Sequence, residues 1–105
     1  MQRNIVFFSH SLTTYNTDLE VKCLTIIKKL YPRCKIINPR DYDSPTYSSN
    51  SKEQFDQEMK LYWLPMVRGS NALVYFKDDS YSPGVDMEIA EANKQGIPIM
   101  NLSDK

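Results

Sequence analysis

The sequence predicts an α/β fold whose parallel sheet is covered by helices on both faces. Four short apolar runs alternate along the chain with three longer segments of helical period, which gives the order βαβαβαβ. Strands joined by crossover helices are parallel. The chain has 105 residues and contains no repeat or linker, so we predict one domain over residues 1–105. The expected architecture is a small doubly wound, flavodoxin-like or Rossmann-like sandwich with a four-stranded, mostly parallel sheet and about three helices.

The composition argues against several classes of partner. The 13 basic and 13 acidic residues give a net charge of zero, which offers no electrostatic attraction to nucleic acid or to an anionic membrane. No apolar run approaches the ~20 residues of a membrane span. Cys23 and Cys34 are interpreted as small core residues in a reducing, cytoplasmic setting, with a disulfide or metal pair as the alternative. We expect no nucleic acid, no membrane, no metal and no cofactor.

The first predicted strand and helix are separated by a polar loop. Residues 4–8 form a largely apolar run and predict a central parallel strand, and the polar loop covers residues 9–16. Thr17 and Glu20 have the spacing of a capping box and open the helix, which Pro32 ends. The apolar face of this helix is expected to contain Leu19, Cys23, Ile26, Ile27 and Leu30.

The middle of the chain predicts a strand, a long loop and a helix. The strand is expected over residues 34–38, and the loop over residues 39–50 is long enough in so small a domain to suggest a function. Ser51 and Gln54 form a second capping box, and Pro65 kinks or ends the helix. The helical stripe, interpreted as core rather than as a base-stacking surface, contains Phe55, Met59, Tyr62, Trp63 and Met66.

The last third predicts strand, helix and strand. Residues 72–76 form a buried strand, and Ser82 and Pro83 are suited to the cap and the first position of a helix. Gly96 stands where a left-handed residue ends a helix, and residues 97–100 form the fourth strand. The stripe of this helix contains Val85, Ile89 and Ala92.

The loops that follow the first three strands meet at one edge of the predicted sheet, where open α/β sheets bind ligands. Glu88, in the second turn of the last helix, faces this crevice and is a candidate nucleophile or stabiliser of positive charge. The alternative is a carboxylate that only favours the helix dipole.

Several other polar residues near the crevice have two interpretations. His10 is a general acid–base or a polar loop residue. Asp86 serves the site or the helix dipole. Asp79 contacts a sugar or carries a proton, or is a solvated turn residue, and a turn role is also the alternative for Asp41.

The last third of the chain also resembles a known signature. This signature is that of the nucleoside 2-deoxyribosyltransferase-like superfamily. It begins with an acidic residue or serine, any residue, glycine, three residues and glutamate. A helix of small residues follows, which ends in glycine before an apolar strand. Ser82, Gly84 and Glu88 stand at the fixed positions. Residues 71–76 and the turn at 38–41 are similar to the corresponding parts of that family.

The resemblance implies a nucleoside deoxyribosyltransferase-like domain with N-glycosidic chemistry. In that superfamily the signature glutamate attacks the anomeric carbon of a nucleoside or nucleotide, and water or a second base resolves the glycosyl intermediate. Glu88 occupies this position, and Asp79 is the candidate substitute for the acidic group that the transferases have where Ser82 stands. Asp79 or Asp86 is expected to help with acid–base work or orientation. The expected substrate-binding residues are Ser9, His10, Ser11, Asp41, Ser82 and Gly84.

Three functions follow. The chain is an N-glycosidase or (deoxy)ribosyltransferase, a module that binds a nucleotide-like ligand without cleaving it, or an interaction protein in which the fold is a scaffold. The small-molecule partner of the first two is a nucleoside or nucleotide. A homodimer, formed through the middle helix, is an option that the sequence leaves open.

Overall fold

The computed structural model describes residues 4–10, 16–39, 59–77 and 83–102. These residues form an α/β fold with an all-parallel four-stranded sheet and three helices, as the sequence predicts. A π-helical turn, Met59–Trp63, leads directly into the second helix. The elements in chain order are strand β1 (Ile5–His10), helix α1 (Asp18–Leu30), strand β2 (Lys35–Ile37), helix α2 (Leu64–Arg68), strand β3 (Ala72–Phe76), helix α3 (Pro83–Gln95) and strand β4 (Ile99–Asn101).

The strands stand in the order β2-β1-β3-β4. This is the order of flavodoxin-like sheets, in which β2 lies on one side of β1 and β3 on the other. Val6 accordingly pairs with Ile36 on one side and with Ala72 on the other. The direction of winding reverses between β1 and β3, so the ligand-binding crevice expected of such a sheet opens at the carboxyl ends of these two strands.

β1 runs through the centre of the core. Val6, Phe7 and Phe8 are fully buried and alternate between two apolar clusters. Phe7 belongs to the cluster that α2 and α3 cover, which we call the α3 face of the sheet. Val6 and Phe8 belong to the cluster that α1 covers, the α1 face. The strand ends two residues later than predicted, because its ladder with β3 continues to the pair of His10 and Phe76.

The buried face of α1 differs from the predicted one. Cys23 and Ile27 are buried as expected, but Leu19, Ile26 and Leu30 are 39–48% exposed. Glu20, which shares the face of Cys23 and Ile27, is 1% exposed and takes the buried place instead. The predicted rotation of α1 about its axis was therefore wrong. The polar contact between Glu20 and His10 places the side of α1 that carries Glu20 against the sheet.

Pro65 lies inside the second helical segment, which continues to Arg68. Proline cannot donate to the carbonyl four residues earlier, and its ring crowds that carbonyl, so the wider π-helical turn directly before Pro65 accommodates it. Met59 and Trp63 are buried in the core on the α3 face, which confirms the core interpretation of Trp63. The predicted capping box and the stripe residue Phe55 lie outside the described residues.

α3 and β4 follow the prediction closely. α3 begins at Pro83 and is followed by Gly96, whose φ of 71° is the expected left-handed conformation. β4 covers Ile99–Asn101 and is an edge strand, in agreement with the proline just before it. None of the helices in the described ranges has the length and apolar character that crossing a membrane requires.

Candidate functional site

The carboxyl end of β1 carries two adjacent buried polar residues, Ser9 and His10. Successive side chains of a strand point to opposite faces, so Ser9 lies on the α3 face and His10 on the α1 face. Each reaches a buried glutamate of the helix on its own side, Glu88 on α3 and Glu20 on α1. Two buried polar pairs therefore flank the crevice edge, one on each face of the sheet.

The Ser9–Glu88 pair joins β1 to α3. The Ser9 hydroxyl donates to Glu88 Oε1 over 2.6 Å, and the two residues are 0% and 6% exposed. Oε2 of Glu88 accepts no hydrogen bond from the part of the chain that the structure describes. One carboxyl oxygen is thus held by Ser9, and the described residues leave the other without a hydrogen-bond donor.

Burial raises the pKa of Glu88 from its ordinary value of 4.5 to about 8, because an ionised carboxylate loses its hydration in the protein interior. The Ser9 hydroxyl acts on this pKa in the opposite direction, since its hydrogen bond stabilises the ionised form. At neutral pH Glu88 is therefore mostly protonated and able to donate a hydrogen bond or a proton. A carboxyl with so perturbed a pKa at a crevice is typical of a functional site.

The His10–Glu20 pair joins β1 to α1. His10 Nε2 lies 2.8 Å from Glu20 Oε2, and the two side chains are 0% and 1% exposed. His10 Nδ1 lies 3.2 Å from the carbonyl oxygen of Phe8, and the rings of Phe8 and His10 stack with their centroids 4.0 Å apart. A carbonyl oxygen only accepts, so Nδ1 carries a hydrogen.

Glu20 also anchors the beginning of α1. Its backbone N–H donates to Thr17 Oγ1 over 3.3 Å, as the predicted capping box requires. Its carboxylate oxygen Oε1 accepts from the backbone N–H of Asn16 over 3.2 Å. Asn16 has a φ of 62°, a left-handed conformation that asparagine tolerates better than most residues. The start of α1 and the end of β1 are thus connected through one buried carboxylate.

The sequence interpretation did not identify Glu20 as the partner of His10. The signal that could have found it was topological: a glutamate in the first turn of the helix that follows β1 stands at the same edge of the sheet as the last residue of β1. What the pattern did not show is that α1 turns Glu20, rather than Leu19, toward the sheet.

Of the other predicted site residues, two lie in the described part. Asp86 forms an ion pair with Lys77 over 2.8 Å, and its side chain is 55% exposed. Residues two apart on a helix do not face each other, so Asp86 and Glu88 point in different directions. Gly84 is half-buried in the first turn of α3. The predicted site residues outside the described ranges are Ser11, Asp41, Asp79 and Ser82.

The structure brings Ser9 and Glu88 together, while His10 lies on the opposite face and Asp86 faces Lys77. The catalytic and binding roles assigned to these residues stay predictions. Among the described residues, no three histidine, cysteine, aspartate or glutamate side chains form a group that could hold a metal ion. No protein-family model matches this chain, and comparison with curated proteins finds no match.

Proposed function

We propose that this chain cleaves the base–sugar bond of a nucleoside or nucleotide, as a hydrolase or a (deoxy)ribosyltransferase, with Glu88 as the nucleophile. The observation that carries the proposal is the buried contact of 2.6 Å between Ser9 and Glu88 at the carboxyl end of β1. It joins a carboxyl of perturbed pKa to the end of β1, and the carboxyl ends of the strands are where sheets of this order generally bind ligands. The resemblance of residues 79–99 to the deoxyribosyltransferase-like signature gives this carboxyl its chemistry.

The reaction has two steps at the anomeric carbon of the sugar. Ionised Glu88 attacks this carbon, and the base leaves with the electron pair of the broken bond and takes up a proton, for which Asp79 is the candidate donor. Asp86 is paired with Lys77 and has no part in this step. Water, or a second base in a transferase, then attacks the same carbon and releases the Glu88 carboxylate. Ser9 holds Oε1 throughout, so that Oε2 is the attacking oxygen.

The test is base release measured by chromatography. The protein is incubated with nucleosides, deoxynucleosides, their monophosphates and NAD beside two variants. Glu88→Gln keeps the size of the side chain and removes the nucleophile, so release is expected to stop. Glu91→Gln is the matched control, because Glu91 lies one turn later on α3, is also buried and pairs with Arg68 instead. Equal release by the wild type and Glu88→Gln would contradict the proposal.

A second function is favoured by the protonated state of Glu88 at neutral pH. A neutral carboxyl is a poor nucleophile and a good hydrogen-bond donor, which suits a module that binds a nucleotide-like ligand without cleaving it. A ligand that raises the melting temperature and is recovered intact would identify this function. At ~100-fold excess over Kd the stabilisation is roughly 2.7 kcal/mol, which a melting curve resolves.

Three further features belong to the same proposal. Both cysteines are free, which supports a reducing, cytoplasmic setting. The chemistry needs no cofactor, since a carboxylate and water suffice. A homodimer stays an option, to be tested by light scattering.

A further inference from the structure

The last residues of β1 are paired on one side more than on the other. The ladder between β1 and β3 continues through Ser9 and Tyr75 to the end of the strand, whereas the ladder between β1 and β2 ends at Phe7 and Ile37. The backbone around Ser9 is therefore fixed by a single ladder and by side-chain contacts. The side-chain contacts at the end of β1 therefore help to determine the position of the Ser9 hydroxyl.

The contacts on the α1 face are built by His10 and Glu20. His10 has an acceptor at each ring nitrogen and stacks on Phe8, and Glu20 is attached to the start of α1 through Asn16. Both side chains are excluded from water, so removal of either one takes a buried hydrogen-bond partner from the other, which is costly. These contacts connect the end of β1 to α1.

We propose that His10 and Glu20 are a positioning pair for the Ser9–Glu88 site: they hold the end of β1 from the α1 face and so set the distance between the Ser9 hydroxyl and the Glu88 carboxyl. Ser9 directly precedes His10, so a displacement of His10 carries the Ser9 backbone with it. Hydrogen bonds between oxygens span only about 2.5–3.0 Å, and a shift of half an ångström or so is enough to weaken a contact of 2.6 Å. His10 and Glu20 contact no substrate in this role.

This inference rests on the proposed function only where it assigns the Ser9–Glu88 contact to a reaction. The geometric part stands on the contacts themselves. Glu20→Gln removes the carboxyl of Glu20 and keeps a hydrogen-bonding partner for His10, whereas Glu20→Ala removes both. A shift in the titration of Glu88 that occurs in Glu20→Ala and not in Glu20→Gln therefore reports a movement of Ser9 rather than a changed field.

Two ion pairs on the elements around Glu88 do not involve Glu20. Lys77 and Asp86 form one ion pair, and Arg68 and Glu91 form another. Substitution of Glu20 alters neither pair. Among the described side chains, the ionisable ones on the elements packed around Glu88 are those of His10 on β1, Lys60 on the π-helical turn, Arg68 on α2, Tyr75 on β3, Lys77 after β3, and Asp86, Glu91 and Lys94 on α3.

The test is a titration of Glu88 by NMR, which needs no substrate. The side-chain carboxyl carbons of glutamate are labelled with ¹³C, and the Glu88 signal, assigned by its loss in Glu88→Gln, is followed from pH 5 to pH 10. The wild-type midpoint is expected near pH 8. In Glu20→Ala the midpoint is expected to rise by about one pH unit, because the ionised form of Glu88 loses the support of Ser9. Glu20→Gln still binds His10 through its amide and is expected to stay near the wild-type midpoint.

Ile27→Val is the matched control, since it loosens the same face of α1 two turns away from Glu20 and is expected to leave the midpoint unchanged. A midpoint in Glu20→Ala equal to that of the wild type would overturn the proposal, and so would an equal shift in Ile27→Val. If Glu20→Ala does not fold, Glu20→Leu, which keeps the buried volume, takes its place under the same criteria. Where base release is detected, kcat is expected to fall in Glu20→Ala with KM retained. If no base release is detected but the titration midpoint of Glu88 shifts as expected, the result supports the positioning pair and contradicts only the proposed enzymatic function.

Discussion

Glu20 and Glu88 are buried on opposite faces of one sheet, and two adjacent residues of β1 bind them. Ser9 donates to Glu88 on the α3 face, and His10 pairs with Glu20 on the α1 face. The two carboxyls differ in how the protein satisfies them. Within the described ranges, Glu20 contacts His10 Nε2 and accepts from a backbone N–H, whereas Glu88 contacts a single neutral hydroxyl. Burial therefore acts on Glu88 with little compensation, and this is the physical reason for its raised pKa.

The first prediction concerns the stability of the fold against pH. The pKa of Glu88 is raised in the folded state, so the unfolded chain releases this proton first, from pH 4.5 upward, and the folded chain only near pH 8. The contribution of Glu88 to stability is then complete below pH 4.5 and is lost as the pH rises toward 8. The loss amounts to roughly 5 kcal/mol at most, by the conversion of pKa differences to free energy.

Urea unfolding at pH 5 and at pH 8 measures this effect in the wild type and in Glu88→Gln. The free energy of unfolding of the wild type is expected to fall by several kcal/mol more than that of the variant, which has no proton to lose. Parallel pH dependences in the two proteins would show that Glu88 titrates normally in the fold.

The second prediction concerns the Ser9 hydroxyl. Ser9→Ala removes the hydrogen bond that favours ionised Glu88, so the pKa of Glu88 is expected to rise above its wild-type value of about 8. The ¹³C titration of the carboxyl measures it directly. Ser70→Ala is the control, because Ser70 is also buried but its hydroxyl donates to the carbonyl of Met66. An unchanged midpoint in Ser9→Ala would mean that the contact of 2.6 Å does not form in solution.

The fold and one half of the site could be predicted from local patterns. Alternating apolar runs, helical segments and right-handed crossovers predict a parallel sheet, while the strand order itself comes from the structure. The same rules place the end of β1 and the start of α3 at one edge. Glu88 and Ser9 were expected there for this reason. Their direct contact depends on which way each side chain points, and the strand alternation gives that only once β1 is known to extend to His10.

The other half of the site depends on the rotation of α1, which the sequence pattern does not determine. Leu19, Ile26 and Leu30 make an apolar stripe that looks like a core face, yet they remain substantially exposed. The buried side includes Glu20, because its contact with His10 offsets the cost of burying a carboxylate. The spacing of apolar residues reflects hydrophobic area only, and it does not reveal a specific polar partner on another element.

The third prediction concerns the two thiols. Burial and then the nearby negative charge of Glu20 raise the pKa of Cys23, which keeps it in the unreactive thiol form. Cys34 is only partly buried. With a chromogenic disulfide reagent at pH 8, one thiol is expected to react in the native protein and the second only after urea is added. Cys34→Ser should abolish the native reaction, and a rapid native reaction that survives in this variant would place Cys23 in contact with solvent.

The fourth prediction uses two glycines with different backbones. Gly96 has a φ of 71°, and nothing lies within 4 Å of the position that a Cβ would take. Gly96→Ala is therefore expected to destabilise the fold through backbone strain and not through steric crowding. Its cost is expected to be about 1–2 kcal/mol. Gly69 has a φ of −82°, and a Cβ there would lie in ordinary contact with the Pro65 carbonyl at 3.7 Å. Gly69→Ala is therefore expected to stabilise the fold by roughly 0.4–1 kcal/mol. Urea midpoints that move in the same direction in both variants would contradict this assignment.

The last prediction separates the two chemical roles open to Glu88. A nucleophile must be ionised, so base release at saturating substrate is expected to rise with pH and to level off above about pH 8, where Glu88 has lost its proton. A general acid must be protonated, so the same rate would instead fall through that pH. Ser9→Ala moves the inflection upward in either case, because it raises the pKa of Glu88, and this displacement assigns the inflection to Glu88 rather than to another group. A rate that falls with pH, and whose inflection is displaced in Ser9→Ala, would show that Glu88 takes part in the reaction but is not the nucleophile. The proton that Glu88 holds at neutral pH would then be the one delivered to the leaving base.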